Sequence, residues 1–399
     1  MARRPDDGSH IGLLQVTTFV STTDRFVMPP MLVAIALDLG VPLAAAVQAA
    51  GAYFLAYGLM QPVWGVVSDR LGRVRTLRAT LLLAGLASIA SAFVATPLLL
   101  GVTRAAAGAF FGAAYPSTLI YVGDTVALPV RQPAIARLMV GVALGAAVAS
   151  ATAGVLADVA SWRLGFVATG GAALVLVVVL RRLPEPAQPE ATRASPLAML
   201  GAVARSRVTL FVLALSFVEG MVLLGALTIL PPASEAAGAT STLAGLLTGV
   251  YGVSVYLSSR MVRTVSVRLH PAWLLGGGSL VLLVAMLLLA LSQGPVAAAV
   301  AVLLIGVAWV SMHSTLQTWA TEVLPGARAT VISLFAGALF AGSAVTAALV
   351  AAPAQAGQYD LIFLAGAALA MPLGVAATWG RWRWHRPAPG APPAPTGED

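Results

Sequence analysis

No cysteine occurs anywhere in the 399 residues. That excludes disulfides, thiol nucleophiles and thiolate metal sites. Charge is scarce as well: 10% of the residues are Asp, Glu, Lys or Arg, where a water-facing domain carries about 25%. Lysine is missing altogether, so all 23 basic residues are Arg. The four histidines, His10, His270, His313 and His385, lie far apart and show no metal-ligand spacing. Neither a metal nor another cofactor is expected. Ser and Thr are scattered at ordinary helix-packing positions with no nucleophile–base pair, which argues against an enzyme. A net charge of +8 could suit a nucleic acid. In a chain this poor in charge it reads instead as Arg concentrated on one side of a membrane, and no nucleic-acid partner is expected.

What the chain has is apolar sequence, 59% of its residues. Stretches able to cross a bilayer, about twenty residues each, fall at roughly 11–36, 46–67, 79–96, 98–121, 136–159 and 164–180. Six more fall at roughly 208–230, 243–262, 273–291, 295–318, 329–351 and 360–380. Between the two sets, residues 181–207 are polar and contain Pro184, Pro186, Pro189 and Pro196. The pattern predicts an all-α polytopic membrane protein with twelve transmembrane helices in two six-helix bundles. The bundles are 1–180 and 208–386, joined by the linker 181–207. The Pro-rich polar tail 387–399 is expected to be disordered. Met1-Ala-Arg-Arg leads into a segment that holds Asp24 and Arg25 and lacks a small-residue cleavage site. That segment is expected to be a retained helix rather than a signal peptide.

The arginines set the orientation. With the N-terminus in the cytoplasm, twenty of the 23 fall in cytoplasmic loops or tails. The exceptions are Arg25 and Arg104 inside segments and Arg163 in an outer turn. Twelve helices with both termini cytoplasmic satisfy the positive-inside rule, and an odd number would scramble it. The halves also echo one another. The first and seventh segments each carry one acid near mid-depth, Asp24 and Glu219, and each is expected to end at a Pro pair, Pro29-Pro30 and Pro231-Pro232. Such internal symmetry is a mark of transporters built from two related halves.

Between the second and third segments the chain reads Gly65-Val-Val-Ser-Asp69-Arg70-Leu-Gly72-Arg73. Gly65 permits close helix approach and Gly72 a tight turn. Asp69 is an anion suited to the positive N-terminus of another helix. The fourth segment carries Arg104-Ala-Ala-Ala-Gly108-Ala-Phe-Phe-Gly112, whose four-residue spacing puts all three on one face. Arg104 stands about 9 Å below the outer end, a depth that marks a cavity or an acid partner. These two motifs resemble the loop signature and the membrane-embedded Arg signature of the major facilitator superfamily. The resemblance implies alternating access around a cavity lined by the first, fourth, seventh and tenth helices. It also implies a latch of Gly65, Asp69, Arg70, Gly72 and Arg73 with Asp124, docking on the eleventh helix near Ala329–Thr330. The fifth segment reads Gly141-Val-Ala-Leu-Gly145-Ala-Ala-Val-Ala149 and lacks the Pro that antiporters of the superfamily often carry there.

Asp24 lies about 21 Å into the first segment, within the hydrocarbon zone. A carboxylate there binds and releases a proton if its surroundings change between two states. Asp24, Arg25, Arg104 and Glu219 are therefore the proton-coupling candidates, with a static Asp24–Arg pair as the alternative. Cavity candidates are Thr17, Ser21, Tyr53, Tyr57, Gln61, Gly108, Gly112, Tyr115, Ser216, Trp309, His313 and Gln317. Together these predict a multi-pass protein of a bacterial inner membrane, working as a monomer in the lipid bilayer. It would export a small hydrophobic or amphipathic compound, as a multidrug efflux protein does, in antiport with protons. Proton-coupled uptake, a dedicated metabolite or sugar carrier, and a non-transporting membrane receptor are the rival readings.

Overall fold

The computed structural model describes residues 9–186, 196–266 and 268–384, and all regular structure in them is helical. The expected tail 387–399 and the middle of the linker lie outside the described residues. The helices of the first half are α1 (Ser9–Val27), α2 (Leu32–Leu39), α3 (Leu43–Leu71), α4 (Arg73–Ser91), α5 (Pro97–Phe111), α6 (Ala114–Thr125), α7 (Leu128–Val159) and α8 (Trp162–Val179). They continue as α9 (Pro196–Arg205), α10 (Arg207–Glu219), α11 (Gly225–Ala236), α12 (Ser241–Ser266), α13 (Pro271–Leu291), α14 (Pro295–Ala308), α15 (Ser314–Glu322), α16 (Arg328–Gln355) and α17 (Tyr359–Arg383). Polar side chains start several of them. Thr96 accepts a bond from the Leu99 amide, Ser161 from that of Arg163, and Ser206 from that of Thr209. Each satisfies an amide that the first helical turn leaves without a partner.

Eleven helical stretches, counting α5–α6, α10–α11 and α14–α15 as one each, are long and apolar enough to cross a membrane. They coincide with eleven of the twelve expected segments. The first segment falls below that measure because α1 carries Asp24, Arg25 and a run of Ser and Thr. One boundary differs from expectation. α1 ends at Val27, just before Pro29, which opens a 3₁₀ turn that passes into α2, whereas Pro231 and Pro232 lie inside α11. Pro is tolerated at the first position of a helical turn, and within a membrane neighbouring groups satisfy the carbonyls it frees. The linker also holds a short helix, α9, with Pro196 at its first position.

Four of the expected segments are broken within their length. α1 joins α2 through the Pro29–Met31 turn, and α5 joins α6 at Gly112 and Ala113. α10 joins α11 through a π-turn, Gly220–Leu224, and α14 joins α15 through another, Trp309–His313. These are the first, fourth, seventh and tenth segments. Irregular backbone at membrane depth is tolerated where it is buried in protein or lines a cavity.

Packing repeats in the two halves. α1 lies on α7, α3 on α5 and α4 on α8; correspondingly α10 lies on α16, α12 on α14 and α13 on α17. Across the halves, α3 meets α16 and α7 meets α12. Small residues set these distances, since apolar area gives no drive for helix association inside lipid and close backbone approach must supply it. At the α10–α16 contact, Gly220 rests on the Leu339 carbonyl and Gly342 on the Phe217 carbonyl, with no room for a Cβ at either. Gly220→Ala should therefore force the two helices apart, at an overpacking cost of about 1–3 kcal/mol or more. The expected readout is loss of the monodisperse peak in size-exclusion of the detergent-solubilised protein.

Candidate functional site

Asp24 is fully buried where α1, α4, α5 and α8 converge. Its Oδ2 accepts a bond from Arg104 Nη2 at 2.7 Å. Its Oδ1 accepts from Ser88 Oγ at 2.5 Å and Thr169 Oγ1 at 2.9 Å. The Arg104 guanidinium is held between the Tyr53 and Phe166 rings, 4.6 and 4.5 Å from their centroids. The pair is charge-neutral and almost completely hydrogen-bonded, which is the condition under which a buried ion pair persists.

The second half buries Glu219, the last residue of α10, equally deeply. Its Oε2 lies 3.1 Å from His313 Nδ1, and its Oε1 has no hydrogen-bond partner. His313 closes the π-turn between α14 and α15 and stacks on Trp309, ring centroids 4.0 Å apart. A π-turn inserts one extra residue into the helix and turns the side chains after it, a device frequent at functional sites.

Arg25 follows Asp24 in the chain yet faces elsewhere, because successive helical residues diverge by about 100°. It points into the seam between the halves. Its guanidinium lies over Phe26, Tyr57 and, from α16, Phe340, at 5.2, 5.7 and 5.5 Å from the centroids. Arg25 Nε is buried without a hydrogen-bond partner. The rings continue on both sides: Tyr57 stacks on Tyr53, Phe26 on Tyr251, and Tyr251 meets Trp309 edge-on. An aromatic band thus runs across the seam from the Asp24–Arg104 pair to the Glu219–His313 pair.

The other cavity candidates have different surroundings. Gly108 and Gly112 press on the backbone carbonyls of Tyr53 and Tyr57, so they are α3–α5 packing contacts and do not line the seam. Thr17 bonds back to the Leu13 carbonyl, Ser21 reaches the Phe111 carbonyl at 3.3 Å, and Ser216 that of Phe335 at 2.9 Å. Gln61 is buried, Gln317 is half-buried, and the half-buried Tyr115 lies with its hydroxyl 3.7 Å from Met139 sulfur. A groove of about 570 Å³ lies away from the buried acids, between α13 and α17. Among the described residues no cluster of His, Asp and Glu could hold a metal.

At the end of the molecule that carries the linker, Arg73 joins three elements. It pairs with Asp69, and its Nε donates to Asp124 at 3.2 Å. Asp69 is largely exposed and pairs with Arg73. Gly72, at φ +101°, makes the turn between α3 and α4. A residue that the sequence reading passed over, Glu185, caps α4, accepting from the Val74 and Arg75 amides at 3.0 Å each.

The far end is closed by contacts across the halves. α11 packs on the Pro29–Met31 turn and on α2. Asp158, near the end of α7, accepts bonds from the Ser241 and Thr242 amides at 3.2 and 2.6 Å, capping α12. One turn earlier, Gly154 rests on the Ser241 carbonyl. Gln355 at the end of α16 accepts from the Ala44 amide at the start of α3, at 3.3 Å. Asp158 was also missed, although Gly154-Val-Leu-Ala-Asp158 repeats the Gly-x-x-x-Asp spacing of Gly65-Val-Val-Ser-Asp69.

Residues 14–347 match the family described as Major Facilitator Superfamily. The 3-(3-hydroxy-phenyl)propionate transporter of Escherichia coli (strain K12) is 35% identical over 126 residues. That match spans 31% of this chain and 31% of the relative's length. Among solved structures, a bacterial homologue of the human lysosomal transporter Spinster, inward-facing and unoccupied, superposes with a TM-score of 0.77 at 16% identity. That superposition covers 96% of this chain and 98% of the other. A D-xylose–proton symporter gives a TM-score of 0.74 at 17% identity, covering 94% and 96%.

Proposed function

Because this multi-pass membrane protein belongs to the major facilitator superfamily, we propose that it is a proton-coupled secondary transporter moving a small amphipathic compound by alternating access. The observation that carries this reading is the buried Glu219–His313 pair, placed on a broken helix opposite Asp24–Arg104. A carboxylate that exchanges an imidazole partner for other surroundings when two bundles rock is able to take and release a proton. In this reading the chain spans a bacterial cell membrane twelve times, α1 with α2 being the first span. Two six-helix bundles, 1–180 and 208–386, work as a monomer with both termini in the cytoplasm. In this reading the end closed by the α7–α12 and α11–α2 contacts faces the outside. Gly65, Asp69, Arg70, Gly72 and Arg73 would engage α16 when the inner side closes.

Export in exchange for protons is the direction the sequence favours. A second reading, movement of compound and proton together, is favoured by Arg25, whose guanidinium faces rings where an anionic group could sit. The name of the E. coli relative, a phenylpropionate transporter, supports a compound with an apolar body and a polar head. Both readings are separated in proteoliposomes holding a pH dye. Exchange raises proton entry as compound leaves, whereas co-movement takes both the same way. Glu219→Gln should keep compound counterflow and lose accumulation driven by a pH gradient. Full gradient-driven accumulation in that variant would remove Glu219 from the coupling.

A further inference from the structure

We infer that the substrate is an aromatic organic monoanion whose acid group is received by Arg25, and that one proton moves with it in the same direction. This rests on the carrier reading above and names the chemistry of its site.

The recognition argument starts from what surrounds the cation. Arg25 stands among Phe26, Tyr57 and Phe340, with Tyr251 and Trp309 beyond, and no carboxylate among the described residues is bonded to it. Ring faces attract a guanidinium but cannot accept its hydrogen bonds in the plane of the fork. Arg25 therefore keeps its in-plane donors for a group that comes and goes. The planar fork suits a carboxylate or a similar oxyanion, taken by two parallel bonds. The apolar, flat walls on either side suit an aromatic body, since ring pairs stack or meet edge to face. A neutral sugar would leave the guanidinium without a counter-charge, and an organic cation would be repelled.

The coupling argument is a matter of charge balance. Asp24 and Arg104 cancel one another in a closed, hydrogen-bonded pair. Among the described residues, what remains in the seam is Arg25 on α1 and Glu219 on α10, one residue of each sign, with Tyr251 of α12 stacked on Phe26 and edge-on to Trp309 between them. Glu219 is faced by His313 from the π-turn, while α16 presents Phe335 and Leu339 there. The charged residues of α16 and α17 stand at the helix ends: Arg328, Asp360, Arg381 and Arg383. Seating a monoanion on Arg25 leaves the seam with one excess negative charge. A proton taken by the Glu219–His313 pair restores neutrality, and an uncompensated charge in such a place is strongly unfavourable. Anion and proton are thus loaded together, one for one, and a net neutral load crosses the membrane.

The test uses the full-length protein purified in detergent, with benzoate, 3-phenylpropionate and 1-naphthoate, each beside its neutral amide. Titration calorimetry should show at least one acid binding ten-fold or more tightly than its amide. Arg25→Gln should remove that preference, and Arg25→Lys should keep part of it. Equal binding of every acid and its amide to the wild-type protein overturns the inference, as does failure of all three acids to bind. The acid–amide comparison needs no variant, so it stands even if Arg25→Gln does not fold. In proteoliposomes, flux of the preferred acid should be electroneutral and unmoved by a valinomycin-imposed voltage; voltage-driven flux overturns the one-proton coupling. Acid-selective binding with no flux would sink the carrier reading and leave the anion site standing. Flux without acid selectivity would do the reverse.

Discussion

Arg104→Ala will abolish transport and lower the stability of the protein by about 3–5 kcal/mol, the usual cost of stranding one partner of a buried ion pair. The residue left behind is Asp24, wholly buried, with only Ser88 and Thr169 to bond it. The void is large, because the guanidinium also fills the space between the Tyr53 and Phe166 rings. Asp24→Asn is expected to be milder in stability, since the amide oxygen can still accept from Arg104 while its NH2 donates to the two hydroxyls instead of accepting from them. The double variant, Asp24→Asn with Arg104→Ala, should recover part of the loss, as happens when both charges of a buried pair are removed. Thermal unfolding in detergent across the four proteins gives the coupling. Additivity of the two single effects would mean that the ion pair contributes nothing as a pair. Wild-type flux in Arg104→Ala would remove the residue from the mechanism.

Asp158→Asn will shift the balance between the two faces of the carrier. The Asp158 carboxylate receives two amides at the N-terminus of α12, where the helix dipole favours an anion. Losing its charge at this exposed position is worth about 0.3–1 kcal/mol, which is a factor of about 2–5 in a two-state population. The form open at the far end should gain by that factor, because the cap exists only while α7 and α12 are together. The absence of native cysteine makes the measurement clean. Labels at Phe93→Cys and Leu291→Cys, both exposed at the far end, report the opening as a longer spin–spin distance. An unchanged distance distribution would show that the cap follows the closure without holding it.

Much of this architecture could be read from sequence because hydropathy along the chain is a one-dimensional signal. Eleven expected segments coincide with helices long and apolar enough to span. The twelfth shows the limit of that signal: α1 is polar on purpose, and the residues that lower its hydropathy are the ones that meet Arg104 and the seam. A pairing of Asp24 with an arginine stood as one alternative in the sequence, and the partner is Arg104. That Glu219 meets His313, 94 positions along, could not be inferred. Their contact depends on the π-turn at Trp309–His313, whose extra residue no regular helical period anticipates. The same holds for the caps by Asp158 and Glu185, where the partner is a backbone amide that leaves no trace in side-chain chemistry. Gly108 and Gly112 fit a motif by spacing, but which neighbour such small residues admit is settled only by packing.

The α7–α12 seam is made almost without side chains. Gly154 and Gly245 face one another, and Gly249 and Gly252 abut the backbone at Ala147 and Ala143. Two surfaces of this kind have no teeth to disengage, and they roll on each other as a plain bearing does. Across the α3–α16 seam the rings of Tyr57 and Phe340 interlock at 4.5 Å and must be pulled out of mesh before the halves can tilt. Resistance to tilting is therefore expected on the aromatic side, where the size of the side chain at position 340 should alter turnover more than a change at the α7–α12 seam.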